Sequence, residues 1–379
     1  MKMIAFRGLL VFQLVVALTL VCAGQLQAAA KNDLLLRQST PVKNLTGYVY
    51  MDVARAGDRV VAVGEMGVIA ISDDNGKSWQ QVIAPTSVTL TAVYFPTAEQ
   101  GWAVGHDGIV LHTADGGKSW EKQLDGNLAN ELGVIAAKEQ LSEARKKLAA
   151  ASDEERADLE YYLEDIEFML KDVEFSAAQG ASKPFMDVWF ANEREGLIVG
   201  AFGMVFRTED GGKSWQALNS AIENPDGYHL HALAETKSAL ILVGEAGTMY
   251  RSFDQGQSWD TLFSPYEGPM FGIGADVSAD KAIAVGLRGK IVVFEEDGGV
   301  LDLQETVVPV ALNAGIKRAD GSWVLVGLAG QIMVQEEDGG PFKMAKPRFP
   351  MSMSVVETKD GSLVLAGLAG LKRVETLDF

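Results

Sequence analysis

The stretch Gly196-Leu-Ile-Val-Gly-Ala-Phe-Gly-Met-Val-Phe-Arg-Thr-Glu-Asp-Gly-Gly-Lys-Ser-Trp215 is the unit that this chain repeats. Leu197 to Val199 and Met204 to Thr208 carry the apolar and β-branched residues of two short strands. Gly200-Ala201-Phe202-Gly203 supplies the turn between them, and Glu209-Asp210-Gly211-Gly212 the next turn. The closing pattern, Ser/Thr-x-Asp-x-Gly-x-x-Trp, is an Asp-box. Its carboxylate is placed to accept backbone N–H groups across the turn, its glycine to take a positive φ, and its tryptophan to start the next strand and pack beneath.

The box recurs at Ser72, Asp74, Gly76 and Trp79; at Thr113, Asp115, Gly117 and Trp120; at Thr208, Asp210, Gly212 and Trp215; and at Ser252, Asp254, Gly256 and Trp259. A Val-Gly or Ala-Gly pair ends the second strand of each unit, at Gly64, Gly105, Gly200, Gly244, Gly286, Gly327 and Gly367. The gaps are 41, 95, 44, 42, 41 and 40 residues. A period near 42 that holds about four strands is a β-propeller blade. The expectation is therefore an all-β, seven-bladed propeller over residues 31–379. The last three units lack the full box, but Gly289, Gly330 and Gly370 still stand three residues after the paired glycine. Glu296-Asp297-Gly298-Gly299 and Glu337-Asp338-Gly339-Gly340 keep turn residues without the tryptophan.

Each unit opens with an inner strand, from Tyr48–Ala54 in the first to Met353–Glu357 in the seventh, and the seventh ends without an outer strand. Asp33 to Thr40, followed by Pro41, resembles the outer strands that precede Pro85 and Pro265. It is expected to join the last blade and close the ring, leaving no sheet edge open.

The 95-residue gap holds an insertion over residues 127–180, between blades two and three. Apolar residues fall at Val134, Ala137, Leu141, Ala144 and Leu148, then at Leu159, Tyr162, Ile166, Leu170 and Val173. Both series have the 3–4 spacing of amphipathic helices, expected over 129–151 and 153–175. Ser152 and Glu155 form a capping box between them, so the insertion reads as an antiparallel α-helical hairpin. Its second helix carries ten acids and two bases between Asp153 and Glu174. That composition fits a solvated face or a partner-docking arm.

Strand alternation puts the hairpin on the face that also carries the turns between second and third strands, with the boxes at the opposite end. The tips Phe202, Leu287, Leu328 and Leu368 are apolar. They are candidates for partner binding, either as a seat for the hairpin or as an open arc.

Lys2 and Arg7 precede an apolar run from Gly8 to Ala23, and Ala28-Ala29-Ala30 offers small residues for cleavage. Residues 1–30 are therefore expected to be a secretory signal peptide. Cys22, the lone cysteine, lies inside it, and the residues before it fit a lipoprotein cleavage box poorly. No second run of about 18 apolar residues follows, so no direct membrane insertion is expected after signal removal. Without Lys2 and Arg7, 31 bases face 51 acids, a net charge of 31 − 51 = −20. Nucleic acid and anionic lipid are disfavoured partners.

Catalytic groups are sparse. Asp-boxes occur in sialidases and other glycosidases, but those need an arginine cluster or two carboxylates flanking a glycosidic bond. The Phe/Tyr-Arg-Ile-Pro opening of sialidases is absent, and Arg207 and Arg251 have Ile71, His112, Val293 and Val334 as their equivalents in other blades. His229 and His231 share a strand face, yet nothing at ligand spacing completes a metal site, so they are read as polar residues lining or flanking the central channel. No enzyme, cofactor or metal is expected.

Units such as Gly101-Trp102-Ala103-Val104-Gly105 through Thr113-x-Asp115-Gly116-Gly117-Lys118-Ser119-Trp120 resemble those of the photosystem II assembly and stability factor propellers. That resemblance implies a seven-bladed, non-enzymatic assembly factor whose partner is a membrane protein or membrane protein complex. Similar exported propellers accompany exporters in non-photosynthetic bacteria, which adds an exporter accessory to the expectations. The phototroph members carry a basic arginine patch, whereas this surface is acidic, so a different membrane partner is expected. With the signal peptide, the resemblance points to the periplasm of a Gram-negative bacterium. A carbohydrate-binding or glycosidase-type Asp-box propeller is the alternative.

Overall fold

The computed structural model describes residues 33–295, 299–306, 308–346 and 348–379. The signal-peptide segment, with Cys22, and the turn residues Glu296 to Gly298 lie outside them. Seven antiparallel sheets follow one another along the chain, six of four strands and the last of three. Their innermost strands are Tyr50–Ala56, Leu90–Tyr94, Phe185–Phe190, Leu230–Glu235, Met270–Asp276, Leu312–Lys317 and Ser352–Glu357. Each neighbours the next, and the seventh neighbours the first, which makes a closed propeller ring.

The second strand of every blade is buried on both sides, which explains its unbroken apolar sequence, as in Leu197-Ile198-Val199 or Leu240-Ile241-Leu242-Val243. The inner strand of every blade carries a register shift, leaving Met51, Thr91, Met186, His231, Phe271, Asn313 and Met353 out of step with the second strand. These irregular positions join neighbouring blades. Thr91 Oγ1 donates to Phe185 O at 2.7 Å, and Asn313 Nδ2 to Ser352 O at 2.8 Å. Asp52 Oδ2 accepts Val93 N–H, and Asp187 Oδ2 accepts Leu233 N–H, each at 2.8 Å. Between blades five and six no side chain intervenes, because a Cβ on Gly272 would stand 2.1 Å from Asn313 O; glycine lets the two backbones touch.

The four boxes hold their turns as one device repeated. In the second, Thr113 Oγ1 accepts Gly117 N–H, while Asp115 accepts Lys118 N–H, Ser119 N–H and both the Thr113 and Ser119 hydroxyls. Trp79, Trp120 and Trp259 donate their indole N–H to the carbonyls of Gly76, Gly117 and Gly256. Trp215 is buried like Trp120, but its Nε1 has no partner. Each box also packs on the preceding blade: Gly76 lies against Val364, Gly117 against Val61, Gly212 against Gln123 and Gly256 against Leu197. Long polar side chains reinforce the seams, with Arg373 Nε on Asn75 O, Arg59 Nη1 on Gly116 O and Gln123 Nε2 on Gly211 O.

The N-terminal segment differs from the sequence expectation. Residues 33–41 do not form the missing strand of blade seven; they lie along the end of the outer strand of blade one. Ser39 N–H donates to Ala84 O and Ser39 Oγ accepts Ala84 N–H, while Leu34 O accepts Ser87 N–H. Ser39 thus satisfies both backbone groups of Ala84 where the strand leaves its ladder, a pairing that the outer-strand resemblance does not encode. Among the described residues, blade seven has three strands. The ring is closed instead by Arg373, by the pair Lys359–Asp58 at 2.5 Å, and by the turn Leu45–Gly47 lying over Gly370. A Cβ on Gly370, whose φ is 101°, would sit 1.9 Å from Thr46 O. Lys372 and Arg373 place two charges on the remaining edge strand.

Between Leu124 and Phe185 the chain forms two helices, α1 (Gly126–Ala150) and α2 (Arg156–Ala178). Both begin three residues later or earlier than their apolar periodicity suggests. The start of α1 is fixed by Asp125, whose Oδ1 accepts the N–H groups of Asn127 and Leu128. Glu155 Oε2 accepts Ser152 N–H and its hydroxyl, closing the turn before α2. Leu141 and Ala144 of α1 bury against Ile166 of α2, with Leu163 and Leu170 beside them. Ala129, Leu132 and Ala136 root the hairpin on Leu124, Phe185 and Met204 at the seam of blades two and three.

Candidate functional site

The hairpin and the second-to-third-strand turns share one face of the ring, since Gly126, at the start of α1, sits directly over Gly108. On that face the tips Phe202, Leu287, Leu328 and Leu368 are all exposed. The hairpin is rooted two blades or more from the three leucines, so it is not seated on them. Phe202 alone stands near its base.

Around Phe202 the face is organised into a line of rings. Phe202 occupies a left-handed backbone conformation (φ 57°) and is 56% exposed. The same conformation recurs at the equivalent tips Met66, Asp107, Ala246 and Arg288, so it belongs to the turn itself. Its ring meets His229 edge-on at 4.9 Å between centroids; His229 meets His231 at 6.5 Å, and His231 lies 5.8 Å from Phe271. The series runs from an exposed tip to the irregular inner-strand positions of blades four and five. Lys183, where the chain re-enters the ring after the hairpin, places Nζ 5.3 Å from the Phe202 centroid. Burial lowers the pKa of that amine.

Hydrogen bonds fix the imidazoles. Phe202 N–H donates to His229 Nδ1 at 3.1 Å, which leaves the proton of the neutral ring on Nε2. His231 Nδ1 lies 2.8 Å from Met270 O, so it carries the proton and Nε2 keeps a lone pair. Burial lowers the pKa of His231, so it is neutral near pH 7. Glu245 Oε2 accepts His229 N–H at 3.2 Å and stands 3.7 Å from Nδ1. The site thus offers a cation at Lys183, an anion at Glu245, a donor and an acceptor on adjacent imidazoles, and aromatic walls. That set suits a polypeptide segment with alternating apolar and polar groups. Among the described residues no group of three or more His, Cys, Asp or Glu side chains is placed to hold a metal ion.

Two further carboxylates line the inside of the ring. Asp52 and Asp187 are half-buried, and desolvation among the inner strands pushes their pKa values up to about 6 and about 7, with Asp52 adding to the shift at Asp187. Both are engaged with backbone N–H groups of their own and the following blade. The box carboxylates lie at the other end of the blades, and hydrogen bonds hold Asp74 down to about 2, the Ser78 hydroxyl contributing most.

The sequence singled out Phe202, His229 and His231 separately, but not Lys183, Glu245 or Phe271. A signal was present: Phe271 and His231 occupy equivalent positions in consecutive inner strands.

Residues 169–266 match the sequence model of the family described as "Photosynthesis system II assembly factor YCF48". The chain is therefore similar, over this segment, to assembly-factor propellers of that kind, as its repeats suggest. The matched segment contains Lys183, Phe202, His229, His231 and Glu245. A search of curated proteins finds no match. Among solved structures, "YCF48 bound to D1 peptide" superposes with a TM-score of 0.59 at 16% identity, covering 87% of this chain and 93% of that one. "YCF48 from Cyanidioschyzon merolae" gives 0.58 at 12%, covering 89% and 98%. The WD40 propeller domain of Doa1 also gives 0.58 at 12%, covering 89% and 95%. The likeness among structures is therefore one of fold, and the family signal comes from the sequence of residues 169–266.

Proposed function

We propose that this protein is an exported, non-enzymatic propeller that binds a segment of a membrane protein on its hairpin-bearing face and helps assemble the complex to which that protein belongs. The observation that carries the reading is the coincidence of the family match with the site. Lys183, Phe202, His229, His231 and Glu245 all fall within the matched residues, and they come together on one face of the ring. A YCF48 structure holds a D1 peptide, and by that analogy the ligand here is an extended polypeptide segment. The exposed leucines at 287, 328 and 368 extend the face with apolar area, in the manner of a docking surface with a polar rim.

The net charge of −18 over the whole chain favours a partner segment with basic residues beside its apolar ones. We place the protein in the periplasm of a Gram-negative bacterium, as an accessory to a membrane complex such as an exporter. A glycosidase or sugar-binding role is less well supported, since the box carboxylates are taken up with their own turns. The test is capture of membrane proteins from the native envelope by wild type, by Phe202→Ser with His231→Ala, and by Leu287, Leu328 and Leu368 changed together to serine. Loss of one specific membrane partner in these variants supports the reading. Undiminished capture by all of them, or turnover of a glycoside by the purified protein, overturns it.

A further inference from the structure

Helix α2 has two apolar faces, and only one of them is used. Leu163, Ile166 and Leu170 pack against α1. On the opposite side Tyr161, Phe168 and Phe175 are 71%, 75% and 66% exposed. They are seven residues apart, so on an α-helix they fall within about 40° of one another and form a stripe roughly 21 Å long. None of the three makes a ring contact with another described residue. Three aromatic side chains in line, each about two-thirds exposed, are unusual on the surface of a protein that works alone.

The margins of the stripe are mainly acidic, with Lys171 as a base beside Phe168 and Phe175. Glu167 and Glu174, towards α1, are paired with Arg145 and Lys138. Glu164 and Asp165, which flank the stripe, form no ion pair among the described residues, while Asp172 on the same margin lies close enough to Lys183 for the two charges to act on each other. Across the whole of α2 seven acids stand against two bases, Arg156 and Lys171.

We infer that the outer face of α2 is a docking surface for a cationic amphipathic helix of a partner protein. The heptad spacing of the aromatics is the seam that a further helix reads when it lies along another, its apolar residues entering between Tyr161, Phe168 and Phe175. Lysines or arginines on the partner's flanks meet Glu164, Asp165 and Asp172. The same charges disfavour the competing occupants. Anionic lipid head groups are repelled by these margins, and a second copy of this chain brings an acidic seam of its own. Asp172 reaches towards Lys183 at the edge of the ring face, but the three aromatic rings are not part of that face, so the inference stands whether or not that face binds a membrane protein.

The experiment uses the whole protein and a designed, fluorescently labelled 18-residue Leu/Lys amphipathic helix as the probe, titrated by anisotropy at physiological ionic strength. Tyr161, Phe168 and Phe175 changed together to serine keep every charge, and binding is expected to weaken at least tenfold with helix content by circular dichroism unchanged. Glu164 and Asp165 changed together to lysine keep every ring and are also expected to lose the peptide; this second variant decides the matter if the serine variant loses helix. Phe202→Ser is expected to bind the peptide as the wild type does. Equal binding by the serine variant, equal binding of a Leu/Glu peptide, or preference for phosphatidylglycerol vesicles over the peptide overturns the inference. So does a wild-type dimer in sedimentation that the serine variant abolishes, which assigns the stripe to self-association.

Discussion

Phe202 donates its backbone N–H to Nδ1 of His229 while the two rings meet edge-on, so one exposed tip of blade three is locked to the inner strand of blade four. The contact joins the outermost and innermost parts of the candidate face in one step, and both residues are held by the fold. A partner that stacks on Phe202 finds the imidazole already oriented.

Substituting Phe202 by glycine separates binding from stability. A left-handed conformation costs a residue with a Cβ about 1 kcal/mol, which glycine relieves. The lost edge-on contact costs about as much. The melting temperature of Phe202→Gly is therefore expected to stay close to wild type while partner capture falls, and a large loss of stability would show that the side chain serves the fold.

The box tryptophans differ in one atom, and that difference is measurable. Trp120→Ala and Trp215→Ala each empty a buried site and are expected to cost about 3–5 kcal/mol. Phenylalanine removes the pyrrole half of the ring at both sites, so the difference between the two variants reports the indole N–H. Trp120→Phe loses the bond to Gly117 O, whereas the Trp215 Nε1 has no partner to lose. Urea unfolding should therefore find Trp120→Phe the less stable of the two by about 1 kcal/mol. Equal losses would contradict the assignment.

Asp52 and Asp187 give stability a pH dependence of definite sign. In the unfolded chain both release their protons near pH 4, whereas the fold holds them to about 6 and about 7. Between these limits the folded state binds more protons, so these two groups lower stability as pH rises from about 4 to about 7 and add no further change above. Asp187→Asn removes one of them. Its stability relative to wild type is expected to increase with pH across that window, and a constant difference would show that the carboxylate titrates normally.

Deletion of residues 33–41 tests the revised placement of the N-terminal segment. The segment covers the end of blade one, and the closing contacts of Arg373, Lys359 and Leu45–Gly47 lie outside it. A modest fall in melting temperature is expected from the lost bonds to Ala84 and Ser87, without aggregation. Aggregation on deletion would mean that the segment seals the ring after all.

The fold was legible in the chain because a propeller writes its period into every blade. The glycine pairs, the all-apolar second strands and the four boxes are local signals that tertiary packing did not override. Tertiary pairing was not legible. Ser39 bonds Ala84 across 45 residues, and nothing in its neighbours distinguishes that partner from the empty edge of blade seven. The blade latches were hidden for another reason: a register shift in each inner strand breaks the simple alternation by which Asp52, Asp187 and His231 would be assigned to a face. On α2 the 3–4 spacing exposed the face that packs on α1. The sevenfold series Tyr161, Phe168 and Phe175 lay among the acids that suggested a solvated surface.

The central claim, that the hairpin-bearing face holds a membrane protein, is tested most directly by placing a photo-crosslinking amino acid at Phe202 and, separately, at Lys118 in the second box on the opposite face, in cells of the native host. The account predicts a specific adduct with an envelope membrane protein from position 202 and none from position 118. Adducts from position 118 alone would place the binding surface at the other end of the ring and contradict the account.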